Sequence, residues 1–137
     1  MVEITKSFEI DVDIIDKDHR QLVDIINEIV QAIDSGDFDV CKKLVPDFVK
    51  FSKQHFKREE VLLNKYEYPN TDKHHEHHLG LNEKMDTMLA LSQRLADSPP
   101  ARDALRKELI YFLMDDVINE DMDFKPFLVN ATSSENE

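Results

Sequence analysis

The sequence predicts an all-α protein, an antiparallel up-down-up-down four-helix bundle with an N-terminal arm. Only 2 of the 137 residues are glycine, whereas sheet proteins need many turns in which glycine is common. Turn-forming residues cluster at DSGD (34–37), EYPN (67–70) and DSPP (97–100). These breaks leave four segments of helical length joined by short connections, and such connections make consecutive helices antiparallel.

Each segment repeats apolar residues at intervals of three and four, which is the spacing of one face of an α-helix. In chain order the stripes include Leu22, Ile26, Ile29 and Ile33; Leu44, Phe48, Leu62 and Tyr66; Leu81, Met85, Met88 and Leu95; and Leu105, Leu109, Phe112 and Leu113. We expect these faces to form one core within a domain of residues 1–130. The polar segment 131–137, ATSSENE, is predicted to be a disordered tail.

Composition narrows the functional classes. The chain has 17 Lys and Arg against 29 Asp and Glu, a net charge of −12, which argues against nucleic acid and anionic membranes as partners. No apolar run is long enough to span a membrane, and the N-terminal residues do not resemble a secretory signal. The single Cys41 cannot form an internal disulfide. We therefore expect a cytoplasmic protein, monomeric rather than oligomeric.

Ionisable residues interrupt the apolar stripe in every segment. They are His19 in the first, His55 and Glu59 in the second, His74 and His78 in the third, and Asp116 in the fourth, with Asp121 one turn further on. A single core histidine is usually a hydrogen-bonded core residue, but buried charges are unfavourable unless they are paired or bind a metal. So many on four facing helices indicate a site.

These residues are expected at one end of the bundle, since odd helices begin where even helices end. His55 and Glu59, like His74 and His78, are four residues apart and therefore share a helical face. Imidazoles and carboxylates at this density predict a transition-metal site. The donors are too many for one tetrahedral ion and suit two.

The pattern resembles the hemerythrin family, specifically single-domain bacteriohemerythrins. That family has a histidine in the first helix, then H-x-x-x-E, H-x-x-x-H and H-x-x-x-x-D. Here IDKDHRQL supplies His19, HFKREE supplies His55 and Glu59, and the outer histidines of HHEHH are His74 and His78. Asp121 matches the closing acid, and Phe124 follows it where the family usually has an aromatic residue. The resemblance covers about residues 8–128, with Asp116 in place of the fifth histidine.

The resemblance implies two non-heme iron ions (Fe2+/Fe3+) with an oxo/hydroxo bridge, held by His19, His55, Glu59, His74, His78, Asp116 and Asp121. Glu59 and Asp121 would bridge the ions. His19 and His55 would bind one iron, and His74, His78 and Asp116 the other. Family members bind O2 at an open iron position in an apolar pocket, for which Leu22, Phe56 and Leu113 are the candidates by position; ordinary core packing is the alternative for each.

Two hypotheses exist for Asp116. It is either a terminal metal ligand replacing imidazole, or an acid that contacts the site only through hydrogen bonds or water. A coordinating carboxylate would lower the positive charge of the centre and favour the ferric state. His75, His77 and Asp115 are expected to flank the site or face solvent. Glu120 would reach it only if the helix end unwinds.

The leading functional hypothesis is therefore an O2-binding protein for storage, delivery or sensing, and not an enzyme. The first alternative is a di-iron oxidase or peroxidase that activates O2 or peroxide, which only the Asp116 substitution favours. The second is a metal store or sensor without O2 chemistry. A ferritin-like centre is disfavoured because its paired Glu-x-x-His motifs are absent from the sequence.

Overall fold

The computed structural model describes residues 9–135, with side chains described as far as Thr132. The elements are α1 (Asp13–Asp34), α2 (Phe38–Lys65), α3 (Thr71–Ser92), α4 (Pro99–Tyr111), a π-helical segment (Phe112–Asn119) and α5 (Glu120–Glu135). The last three are continuous and together form the fourth helix of the bundle. No strand occurs between residues 9 and 135. The predicted all-α class and the four-helix bundle are confirmed.

The helices pack in chain order, and the fourth helix returns to α1. The connections lie at the three predicted breaks. In the first, Gly36 has a φ of 74°, a conformation that glycine adopts without steric cost. In the third, the Ser98 side chain accepts a hydrogen bond of 3.3 Å from the Ala101 N–H, and Pro99 begins the helix. These short turns keep neighbouring helices antiparallel.

The apolar interior is divided into two clusters. The larger fills most of the bundle and includes Leu22, Phe48, Phe56, Met85 and Leu113. The smaller closes one end and consists of Ile10, Val12, Ile15, Leu63, Phe124 and Leu128. Of the arm, Ile10 and Val12 belong to this smaller cluster, and Asp16 accepts a hydrogen bond of 2.7 Å from the Ile10 N–H. Along the first, second and fourth helices, His19, Glu59 and Asp121 lie between residues of the larger and the smaller cluster.

The fourth helix differs from the sequence prediction in two respects. Its middle is π-helical. Two buried pairs in this segment are spaced by five residues: Phe112 with Val117, and Leu113 with Ile118. The helix also continues to Glu135, past the predicted start of the tail at residue 131; residues 136 and 137 lie outside the described residues. None of the described helices is long and apolar enough to cross a lipid bilayer.

Candidate metal centre

Six of the seven predicted ligands meet between the two apolar clusters. Ligand atoms of His19, His55, Glu59 and Asp121 lie within 4.8 Å of one another, and those of Glu59, His74 and His78 form a second such group. We call these the four-donor group and the three-donor group. Every member is at most 7% exposed. Only Glu59 belongs to both groups.

The carboxylate of Glu59 joins the two groups. Its Oε1 atom faces Nε2 of His55, in the four-donor group. Its Oε2 atom lies 3.0 Å from Nε2 of His74 and 3.3 Å from Nε2 of His78. The two oxygens of one carboxylate therefore point to separate sets of imidazoles, which is the arrangement of a carboxylate that bridges two cations.

Asp121 completes the four-donor group from the fourth helix. Its Oδ2 atom is 2.6 Å from Nε2 of His19 and 3.2 Å from Nε2 of His55. These contacts tie Asp121 to the four-donor group. The rings of His19 and His55 meet edge to face with centroids 5.1 Å apart, so both present Nε2 to the same carboxylate.

Two further carboxylates contact the Nδ1 atoms of His55 and His78, on the opposite side of each ring from Nε2. Nδ1 of His55 donates to Asp18 at 2.9 Å, and Arg58 holds Asp18 with hydrogen bonds of 2.8 and 2.9 Å. Nδ1 of His78 lies 3.2 Å from Oε1 of Glu60. Such partners place the proton on Nδ1 and leave the Nε2 lone pair for a metal. Sequence reasoning missed all three partners; their only signal is that each is adjacent in sequence to His19 or Glu59.

The ionisable groups of the centre shift one another's pKa values. Burial alone would raise the pKa of Glu59, but the positive charge of His55 and several hydrogen bonds hold it well below its ordinary value of 4.5. Burial opposes the charge on His55, yet Glu59, Asp121 and Asp18 raise the pKa of His55 well above 6.5. The pKa of His74 is also raised, mainly through Glu59, against the effect of burial. Burial and the neighbouring Glu59 raise the pKa of Asp121. Without a metal, the imidazolium protons of His55 and His74 therefore compensate the charge of Glu59.

The donor set fits metal cations. Oε1 of Glu59 and Nδ1 of His19 are buried without a well-formed hydrogen bond among the described residues. Two carboxylates and four imidazoles, each at most 7% exposed, converge between the two apolar clusters, where unpaired charge is unfavourable. A cation bound between Nε2 atoms and carboxylate oxygens would satisfy Oε1 of Glu59, and the combination of ligands suits iron, zinc or a related transition metal.

The structure does not bring Asp116 into either group. Its Oδ2 atom accepts a hydrogen bond of 2.6 Å from Nζ of Lys84 on α3. Residues five apart diverge by about 140° on an α-helix, so a ligand pair spaced like Asp116 and Asp121 needs the wider turn of a π-helix. The π-helical segment widens the turn from Asp116 as far as Asn119, but the Asp116 carboxylate binds Lys84 instead. Direct ligation by Asp116, and the carboxylate-enriched centre expected from it, have no support here.

The flanking residues occupy distinct positions. His75 is 52% exposed and hydrogen-bonds to Glu60 at 2.6 Å. His77 is partly buried, and its Nε2 donates to the backbone oxygen of Asp116 at 3.0 Å. Glu120 is outside both ligand groups but lines a polar cavity of about 400 Å³ together with His74 and His77. The polar cavity therefore gives solvent a route to the edge of the three-donor group.

The predicted O2-pocket residues are all in the core. Leu22 and Leu113 are fully buried, and Phe56 is 5% exposed. The ring of Phe56 stacks on His78 with centroids 4.2 Å apart. Phe124 packs on the other side of this group, 5.2 Å from the ring of His74. Apolar side chains thus contact the imidazoles directly.

The comparisons with known proteins agree with this site. The family model of the hemerythrin HHE cation-binding domain matches residues 10–128. The chain belongs to the hemerythrin family. Its hemerythrin domain therefore spans all four helices and contains the six gathered ligands, and it is a metal-binding domain. No curated protein matches the chain.

Proposed function

We propose that this hemerythrin-family chain is a non-heme di-iron protein that binds O2 reversibly, for storage, delivery or sensing. The observation that carries the proposal is the Glu59 carboxylate, whose two oxygens face separate imidazole sets. One ion would be held by the four-donor group and a second by the three-donor group. When bound, two ferrous ions would supply the open coordination position and the electrons that O2 binding requires.

The preference for iron rests on the mixture of donors. Four imidazoles would satisfy zinc or copper as well, but two buried carboxylates add hard oxygen ligands, which suit iron better than copper(I). No thiolate takes part, since Cys41 is buried in the apolar core, away from both groups. Asp18 would orient the imidazole of His55 and Glu60 that of His78, and Glu59 would set the distance between the two ions.

The preference for O2 binding rests on the apolar surroundings. Phe56 covers one face of His78, and Leu22 and Leu113 belong to the same core cluster as Phe56. A small apolar gas is favoured in such surroundings, which keep water from the side of the three-donor group that Phe56 covers. Limited access of water on this side would slow oxidation of bound iron, which favours reversible binding.

The test is anaerobic reconstitution with ferrous iron followed by titration with O2 under an absorption spectrometer. The proposal predicts two irons per chain and a spectral change that is reversed when O2 is removed. A spectrum unchanged by O2 would contradict the proposal. Zinc-loaded protein is the control, because it holds the same ligands in place without redox chemistry.

A di-iron oxidase or peroxidase is the second candidate, and the polar cavity beside His74 favours it. Glu120, Lys73 and Asp123 line that cavity, so peroxide or water could approach the three-donor group. Sustained consumption of O2 with an added reductant would identify an enzyme, whereas one O2 per centre would identify a carrier. A metal store or sensor would bind iron and give no spectral response to O2.

The remaining expectations belong to the same proposal. O2 is the proposed partner, with neither nucleic acid nor membrane, since the net charge is −12. We propose a monomer in the cytoplasm. Size-exclusion chromatography with light scattering and fractionation of cells would test these two points directly.

A further inference from the structure

Asp116 is tied to α3 by both its side chain and its backbone. Lys84 donates to its carboxylate at 2.6 Å, with the lysine 39% and the aspartate 12% exposed. His77 donates to its backbone oxygen at 3.0 Å. Lys84 is itself placed over the ring of Tyr111, 5.4 Å from the centroid. The contacts hold the carboxylate at the boundary between α3 and the fourth helix.

This arrangement leaves the two metal positions with unequal protein ligands. One group offers His19, His55, Glu59 and Asp121, and the other offers only Glu59, His74 and His78. The three-donor group is also the one beside the polar cavity. A position with fewer protein donors and more access to water holds its ion less tightly, because water has to complete its coordination.

We propose that the two metal positions differ in affinity and that Lys84 sets the difference by holding Asp116 away from the three-donor group. The inference rests on the two-metal centre proposed above. Lys84 and a metal ion compete for one carboxylate. Asp116 lies in the π-helical segment, and its backbone oxygen contacts His77, the sequence neighbour of His78. Releasing the Asp116 carboxylate from Lys84 therefore makes a fourth protein donor available to the weaker position.

The experiment is titration of the metal-free protein with Co(II), followed by calorimetry and by visible absorption, which reports coordination. The wild type is expected to bind in two resolved steps, the second at least roughly tenfold weaker. Lys84→Met is expected to tighten the second step by roughly tenfold and to leave the first unchanged. Lys53→Met, at an exposed position of α2, is the matched control and should change neither step.

The role of Asp116 is isolated by a double-mutant cycle. Asp116→Asn alone should leave both steps near wild type, because Asp116 binds no ion while Lys84 holds it. In Lys84→Met/Asp116→Asn the gain of the single variant should disappear. Asp116→His offers a second check that does not depend on Lys84, since an imidazole here should strengthen the second step.

Two equal steps in the wild type would overturn the inference, and so would a Lys84→Met protein with an unchanged second step. Retention of the gain in the double variant would overturn the role of Asp116. These results leave O2 binding untouched, which the iron and O2 titration tests separately. Failure to bind any Co(II) would instead overturn the two-metal centre itself. Circular dichroism of each variant shows that it is folded before titration.

Discussion

Oε2 of Glu59 lies 3.0 Å from Nε2 of His74, while the other oxygen of the same carboxylate faces His55. The Glu59 side chain therefore joins an imidazole of its own helix, α2, to one of the neighbouring helix α3. Because Glu59 is 1% exposed, water does not compensate its charge. The charge of the Glu59 carboxylate must therefore be compensated either by protons on the neighbouring imidazoles or by metal ions between these atoms.

Removing the Glu59 carboxylate should affect both metal positions at once. Glu59→Gln keeps the shape but loses the bridging charge, so we expect the affinity for both ions to fall by more than roughly 100-fold, beyond the effect of a residue that only orients a ligand. Metal analysis after equilibrium dialysis measures this. Glu83→Gln, at an exposed position of α3, is the matched control. Two tightly bound ions in Glu59→Gln would refute the bridging role.

Removing the Asp18 carboxylate should weaken only the four-donor group. Asp18 accepts the Nδ1 hydrogen of His55 at 2.9 Å, and Asp18→Asn loses the charge that favours this orientation. We expect a loss of roughly 10- to 100-fold in the first metal-binding step, with the second unchanged. Asp24→Asn, exposed on the same helix, should have no effect. Equal losses in both steps would show a general folding defect instead.

The stability of the metal-free protein should fall as pH rises from about 6.5. The folded-state pKa values of His55 and His74 are raised above 6.5, so their stabilising contribution is complete below the unfolded value and is lost as pH rises through the raised values. The pKa of Glu59 is lowered well below 4.5, so its stabilising contribution is present above pH 4.5 and is lost as pH falls through the lowered pKa. The slope for each histidine is at most about 1.4 kcal/mol per pH unit.

Urea denaturation in the presence of a chelator measures this dependence. The metal-loaded protein should show the opposite trend, because ions bind the deprotonated imidazoles and release protons. Lys53→Met, at an exposed position of α2, should leave both curves unchanged. Stability of the metal-free protein that is flat or rising over this pH range would argue against protonated His55 and His74.

Substituting two phenylalanines of α2 in turn distinguishes a role in core packing from a role at the metal centre. Phe48 and Phe56 are both buried and both contact Phe112, but only Phe56 stacks on His78. Substitution of either by leucine should cost about 1–2 kcal/mol in the free energy of unfolding. Only Phe56→Leu should accelerate oxidation of the iron-loaded protein by O2, which stopped-flow absorption measures. Equal oxidation rates in the two variants would assign Phe56 to packing alone.

The bundle could be predicted from the sequence because its signals are local. Helical periodicity and three breaks determine the elements, and the spacing of His55 with Glu59 and of His74 with His78 places each pair on one face. The location of all these residues at one end of the bundle follows from the antiparallel topology alone. That is why six of the seven proposed ligands are gathered in the structure.

The position of Asp116 could not be predicted in the same way. The apolar periodicity of the fourth segment predicts a regular α-helix, although two apolar pairs spaced by five residues are a signal of the π-helical turn. The contact of Asp116 with Lys84, and that of Asp18 with Arg58, depends on the rotation of one helix against another. Such rotations follow from packing across the whole interface and leave no short-range pattern in the sequence.

The most direct test of the two-metal centre is crystallography of the iron-loaded protein with anomalous scattering at the iron edge. Two iron peaks about 3.5–4 Å apart are predicted, bridged by Glu59, one bound by His19 and His55 and the other by His74 and His78. A single peak, or two peaks that do not share Glu59, would contradict the account.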